Sequence, residues 1–214
     1  MEIYTVISKQ IDDMYNEVFL PSLKKIEPDS EVNAVRIEFE GTGGIRTKGW
    51  YQAGWEKIRT LEKVSRRNND EVIAFFDTDI IFLRPFCQDV LKLMENKDIL
   101  IQRHYKYGKK LNLGVVFIKC NKKVNSYLNF VIKQRKQENS WDEDVMDKTI
   151  ESSGLKFDLL PLTFSNESNE GFTQNSYLYH ANELGNTFFS TSVQKKYKKL
   201  KKLYKKYYLK RRLF

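Results

Sequence analysis

Asp77 and Asp79 stand one residue apart in Ala74-Phe75-Phe76-Asp77-Thr78-Asp79-Ile80-Ile81-Phe82, two carboxylates interrupting a long apolar run. A continuous hydrophobic stretch rich in Val, Ile and Phe reads as a strand of a sheet covered on both faces, which puts the pair at the strand's end. Burying one ionised carboxylate is costly and two neighbours cost more, unless a proton or a cation compensates them. Hard oxygen ligands suit Mg²⁺ or Mn²⁺, which complete their shells with water and phosphate oxygens. A bare Asp-x-Asp also fits a solvated turn; the apolar flanks on both sides favour a divalent-metal site.

The elements that must position this pair follow from periodicity. Residues 2–8 read as a first strand, 11–25 as a helix, and 32–39 as a second strand. The turn-prone Gly41-Thr42-Gly43-Gly44 precedes a helix from Lys48 to Arg66, on which Trp50, Trp55, Ile58 and Leu61 recur at helical spacing. Further on, Phe86–Glu95 reads as a helix, Asp98–Gln102 and Leu113–Lys119 as strands, Val124–Gln137 and Asp142–Glu151 as helices, and Phe157–Leu160 as a late strand. Strands alternating with helices imply an α/β domain whose largely parallel sheet carries helices on both faces. Ligands of such folds gather beyond the carboxyl ends of the strands, where Ser8 and Asp77 to Asp79 lie.

Length and charge bound the rest. A chain of 214 residues suffices for one α/β domain. The net charge of +9 is a property of the tail: residues 195–214 hold 11 of the 37 Lys and Arg and no acid, so the remainder carries 26 basic against 28 acidic groups. We therefore expect a domain over 1–194 and a basic extension over 195–214, with no basic face in the body for nucleic acid. Tyr197, Leu200, Tyr204 and Tyr207 recur along the tail at steps of three and four, an amphipathic pattern that suits packing on the body, a connector to a further domain, or an anionic membrane surface. No apolar run approaches the ~20 residues of a membrane span, and the start lacks a signal pattern, so a soluble, cytoplasmic protein is expected. Cys87 and Cys120 have neither disulfide nor zinc spacing and read as packed thiols.

The apolar strand ending in Asp77-Thr78-Asp79, followed by Leu83-Arg84-Pro85, Leu111-Asn112-Leu113-Gly114-Val115, Trp141-Asp142-Glu143-Asp144 and Tyr179-His180, resembles in order the nucleotide-sugar-dependent glycosyltransferases of the GT-A fold. The resemblance spans residues 2 to 185 and implies a Rossmann-like single domain with a mixed, mostly parallel central sheet flanked by helices. It is greatest to small retaining enzymes, and the compact form is similar to virus-encoded glycosyltransferases of large algal viruses. It implies transfer of a hexose or deoxyhexose from a nucleoside diphosphate, UDP in most such enzymes, to a glycan acceptor with retention. Asp77 and Asp79 would hold the ion, with Thr78 between them in the motif and His180 as third ligand, whose nitrogen suits Mn²⁺ better than Mg²⁺. Thr5, Val6 and Ser8 would hold base and ribose. Asn112 and Gly114 would lie against the donor sugar or acceptor; a plain turn into a strand explains them too. Asp142 would grip donor hydroxyls while Glu143, standing where Gln is usual, faces the anomeric carbon. Helix capping explains the same three acids equally well.

Arg46 and Lys48, between a glycine-rich turn and a helix N-terminus, suit a diphosphate, or else a solvated loop. Two other readings compete. Phosphatases of the haloacid-dehalogenase type also carry Asp-x-Asp after a strand, but usually near the N-terminus and with Thr or Val where Ile81 stands. A module that binds membrane or nucleic acid through the tail is the non-enzymatic alternative.

Overall fold

The computed structural model describes residues 1–39, 48–103, 111–138, 140–164, 166–167, 175–181 and 193–209. Strand β1 (Glu2–Ile7) is buried from its second residue onward and lies between β2 (Glu31–Arg36) and β3 (Val72–Phe76), parallel to both. Between β1 and β2 the chain makes a 3-10 turn (Lys9–Ile11), α1 (Asp12–Met14), a π-helical stretch (Tyr15–Phe19) and α2 (Leu20–Ile26). The sequence predicts one regular helix here. Pro21 lacks the N–H that would close an α-helical bond to Glu17, and the helix widens just before it.

Helix α3 (Lys48–Ser65) leads into β3, and β4 (Ile80–Phe82) follows the Asp77–Asp79 segment. Then come α4 (Cys87–Met94), β5 (Ile99–Arg103), β6 (Leu111–Lys119), α5 (Lys122–Glu138), α6 (Asp142–Thr149), β7 (Phe157–Leu159), β8 (Asn166–Glu167), β9 (Leu178–His180) and α7 (Val193–Tyr204), which runs on as a π-helical stretch over Lys205–Leu209. The main sheet has the order β2-β1-β3-β6-β5-β7, with β6 antiparallel to both neighbours and the other pairings parallel. The alternating pattern predicts the parallel majority, and the mixed character that the resemblance implies comes from β6.

Each face of the sheet is sealed by its own helices. On one side Ile58, Leu61 and Val64 of α3, Val124, Leu128 and Val131 of α5, and Val145 and Met146 of α6 close over Ile73, Phe75, Val116 and Ile118. On the other, Phe19 and Leu23, with Val90 and Met94 of α4, cover Ile3, Ala74 and a group of rings: Phe76, Phe82, Phe86, Phe117 and Phe164. Edge-on contacts of Phe76 with Phe82 and Phe117, at 4.9 and 5.6 Å between centroids, add specific geometry to that burial.

Two departures from the sequence reading shape the site. The apolar run through Asp77–Asp79 is two strands, for β3 stays in the main sheet while β4 joins a second, three-stranded sheet of order β4-β9-β8. Strand β6 starts at Leu111 and bulges: its pairing to β5 jumps from Ile101 opposite Val116 to Gln102 opposite Asn112. Asn112, which the sequence reading leaves just before the strand, therefore lies within it beside Gly114, at a bulge.

The tail packs on the body through α7. Leu200 is fully buried among Met14, Val18, Ile81, Tyr179 and Ala181, with Tyr197, Leu203, Tyr204 and Tyr208 beside it. The sequence pattern nominates Tyr207 for this face; the wider turn of the π-helical stretch brings Tyr208 round instead. Among the described residues no helix is long and apolar enough to cross a membrane.

Candidate active site

Three hydrogen bonds fix the Asp77-Thr78-Asp79 segment where β3 ends. The Thr78 hydroxyl donates to the Val6 carbonyl at 3.0 Å and lies 3.3 Å from Thr5 Oγ1, which ties the segment to the carboxyl end of β1. Asp77 N–H donates to the Gly114 carbonyl in the β6 bulge at 2.8 Å. Ala181 N–H donates to the Asp79 carbonyl at 2.8 Å, and β9 pairs with β4 so that His180 faces Ile80. His180, 101 residues further along the chain, is thus delivered to Asp79 by strand pairing.

One ligand atom from each of Asp77, Asp79 and His180 lies within 4.8 Å of the others. Two carboxylate oxygens and an imidazole nitrogen form a donor set fit for Mn²⁺ or Mg²⁺, and the nitrogen tilts it towards Mn²⁺. The cradle is shaped for the imidazole: a Cβ on Gly114 would sit 2.1 Å from His180 Cε1 and 2.9 Å from Asn112 Oδ1, so only glycine lets the ring approach β6. His180 Nδ1 contacts Gln102 Oε1 at 2.9 Å, and the Gln102 amide in turn donates to the Phe164 carbonyl at 3.3 Å. With Nδ1–H given to Gln102, Nε2 is the edge presented to the carboxylates.

The charges around the two aspartates differ in origin. Asp79 is buried, which alone would raise its pKa; Lys196, 2.5 Å from Oδ2, and His180, with Nε2 3.1 Å from Oδ1, reverse this and hold the carboxyl far below the usual range. Asp77 keeps about a third of its side chain exposed and pairs with Lys57 of α3 at 2.8 Å. Lys57 Nζ also donates to the Leu113 carbonyl at 3.0 Å. Burial would lower the Lys57 pKa, yet Asp77, then Asp142 and Glu143, raise it, so the ammonium stays charged.

Asp142 and Glu143 open α6, and both act on Lys57 electrostatically. Glu143 Oε1 accepts from Leu113 N–H at 3.0 Å, and Asp147, one turn later, accepts from Leu111 N–H at 3.0 Å, so two acids of α6 satisfy backbone donors at the start of β6. Asp142 is buried, 3.9 Å from the Arg135 guanidinium, which stacks over Trp55 at 4.4 Å and donates to the Tyr51 carbonyl. Trp141 meets Trp50 edge-on at 4.9 Å between centroids.

The structure gathers Thr5, Val6, Asp77, Thr78, Asp79, Asn112, Gly114, Asp142, Glu143 and His180 around one end of the main sheet. Ser8 directly follows β1, and its backbone carbonyl accepts from Ile11 N–H at 3.0 Å. Lys48 is exposed on the first turn of α3. Arg46 falls outside the described residues. Sequence reasoning missed Lys57, Gln102, Arg135 and Lys196. Lys57 left a signal, a lysine on the inward stripe of α3 one turn before Leu61; so did Gln102, a polar residue ending an apolar strand. Cys87 and Cys120 are free, and burial pushes both thiols up to about 11, so neither offers a thiolate.

The sequence pattern of the nucleotide-diphospho-sugar transferases matches residues 21–204, which sets aside the phosphatase reading. No curated protein matches this chain in sequence. Solved structures do match in fold. A glycosyltransferase involved in glycosylating the major capsid of PBCV-1 aligns over 94% of this chain and 98% of its own, with TM-score 0.65 and 12% identity. The galactosyltransferase LgtC, solved with donor and acceptor sugar analogues, aligns over 95% and 96%, with TM-score 0.58 and 9% identity. The glycosyltransferase GlyE of Streptococcus pneumoniae aligns over 95% of this chain, which spans only 62% of that protein, with TM-score 0.62 and 10% identity. With GT-A-folded glycosyltransferases as its structural neighbours and the family pattern running through most of its length, this chain belongs to the nucleotide-diphospho-sugar transferase family of glycosyltransferases.

Proposed function

We propose that this chain transfers a hexose or deoxyhexose from a UDP-linked donor to a sugar acceptor, with a divalent ion, Mn²⁺ before Mg²⁺, and with retention at the anomeric carbon. The observation that carries this reading is the convergence of Asp77, Asp79 and His180 at the carboxyl end of β3. An ion held there supplies Lewis-acid stabilisation for the charge on a departing nucleoside diphosphate.

The chain's own groups take complementary parts. Thr78 pins the segment to β1, whose Thr5, Val6 and Ser8 border the place for base and ribose. Lys57 holds Asp77 and is itself fixed by Leu113, so the carboxylate is oriented before any ligand arrives. Arg46 and Lys48 are assigned to the diphosphate, and Asn112 and Gly114 to the floor beneath the donor sugar. Asp142, buried against Arg135, grips donor hydroxyls, and Glu143 places negative charge by the electron-poor anomeric centre. The LgtC complex with donor and acceptor analogues supports two sugar substrates.

Residues 195–214 extend the transferase domain of residues 1–194. In the described part, α7 and its continuation bury Leu200 and turn Lys195, Lys198, Lys202, Lys205 and Lys206 outward, a stripe suited to an anionic lipid surface at the cytoplasmic side. Salt-sensitive sedimentation with anionic vesicles is the expected behaviour.

Calorimetric titration with UDP, with Mn²⁺ and then with chelator, tests the central reading. Nucleotide binding is expected to need the ion; binding of equal strength under chelator would overturn it. A panel of nucleotide sugars then identifies the donor, and NMR of the product linkage decides between retention and inversion.

A further inference from the structure

Lys196 reaches from α7 into the carboxylate cluster. Its ammonium lies 2.5 Å from Asp79 Oδ2, and the other oxygen of Asp79 lies 3.1 Å from His180 Nε2, so both oxygens are engaged. Only 14% of the Lys196 side chain and 11% of that of Asp79 remain exposed. A buried carboxylate needs a counter-charge, and a lysine from the far end of the chain provides it.

α7 has anchors of its own beyond this pair. Leu200 is buried in the body, Lys201 pairs with Glu17 at 2.5 Å, and the Tyr208 hydroxyl donates to the Phe82 carbonyl. The helix can therefore stay docked while the four-carbon stem of Lys196 swings. The ammonium sits on the carboxylate that a divalent ion would use, and two cations crowded onto one carboxylate repel each other.

We propose that Lys196 is a built-in counter-ion that competes with the divalent ion for Asp79, neutralising the carboxylate when the ion is gone and withdrawing when it binds. This rests on reading Asp77, Asp79 and His180 as the ion's ligands. The exchange lets a buried, ionised Asp79 persist in the empty site, and it makes ion affinity depend on a residue of the C-terminal helix. Coupling is reciprocal: an anionic ligand that captures the Lys196 ammonium tightens ion binding, and the ion frees Lys196 for that ligand.

The test is calorimetric titration of the full chain with Mn²⁺ alone. Lys196→Met keeps the length and removes the charge, and it is expected to bind Mn²⁺ at least about tenfold more tightly than wild type, because a charge-assisted hydrogen bond no longer has to be broken. Lys196→Arg keeps the charge and should not gain affinity. Equal or weaker binding by Lys196→Met overturns the proposal. Absence of Mn²⁺ binding in wild type and variant alike removes the ion site itself, a different failure. Should the variant fail to fold, the wild type decides through amine acylation read by mass spectrometry. Lys196 is expected to react slowly in metal-free protein and several-fold faster with Mn²⁺ bound. Unchanged protection in the Mn²⁺-saturated protein overturns the proposal.

Discussion

Asp77 and Asp79 belong to one short motif, yet the protein neutralises them by different means. Asp77 is half-buried and meets Lys57, whose ammonium is held by the Leu113 carbonyl and by the field of Asp142 and Glu143. Asp79 is buried and meets His180 and Lys196, both contributed by the last part of the chain. The first pairing is embedded in the domain's framework, linking α3, β3, β6 and α6. The second depends on a short strand and on the end of a flexible side chain. On the proposed reading, a fixed cation orients one carboxylate while an exchangeable one keeps the other ready for an ion.

Removing the Asp79 charge should break this comparison most completely. Asp79→Asn is expected to abolish Mn²⁺ binding in calorimetry, a loss beyond the roughly 10–100-fold that follows when a ligand merely loses its supporting partner. Lys57→Met attacks the other half: with three acids left around the vacated ammonium position, unfolding in urea should show a loss of about 3 kcal/mol, the low end for a broken buried pair because Asp77 remains partly solvated. Gln102→Leu should cost less. It leaves His180 Nδ1 without its acceptor and the Phe164 carbonyl without its donor, so Mn²⁺ affinity should fall by about tenfold and urea unfolding should show a loss of about 2 kcal/mol. If Lys57→Met lowered ion affinity without touching stability, the division between a structural and an exchangeable cation would be wrong.

How much of this was legible in the sequence depended on how local the cause was. The main sheet was readable because its strands are apolar runs separated by helices at ordinary spacings, and Asp77 and Asp79 stood out against their own flanks. The second sheet was not, since β4 and β9 are three residues each and join only through pairing across about a hundred residues. The β6 bulge was hidden for a similar reason: Asn112 reads as the residue before the strand until Glu143 and Asp147, from another helix, are seen to satisfy N–H groups at the strand's start. His180 entered by resemblance alone, and the pairing of β4 with β9 supplies its physical cause. Lys196 carried no signal, being one of 11 basic residues in the tail. The identity of the lysine that turns inward is decided by which face of α7 packs on the body.

A third carboxylate sharpens the contrast, because none of its partners belongs to the Asp77, Asp79 and His180 group. Glu62 of α3 is buried and accepts from Arg66 Nε and Nη2 at 2.6 and 2.9 Å, from Asn125 Nδ2 at 3.0 Å and from Asn129 Nδ2 at 2.9 Å, so it joins α3 to α5. Burial alone would raise its pKa; the hydrogen bonds from Arg66, Asn125 and Asn129 outweigh this and hold it below the ordinary 4.5. A folded-state value below the unfolded one means that the stabilisation is complete above pH 4.5 and fades as the pH falls through the folded value. Glu62→Gln should therefore cost about 1 kcal/mol in urea unfolding at neutral pH, and the gap from wild type should close in acid as the native carboxylate is protonated. Mn²⁺ affinity should stay at the wild-type value, because the partners that fix Glu62 lie on α3 and α5 and not among the proposed ion ligands. A gap that persisted undiminished in acid would mean that shape, rather than charge, makes Glu62 hold the two helices together.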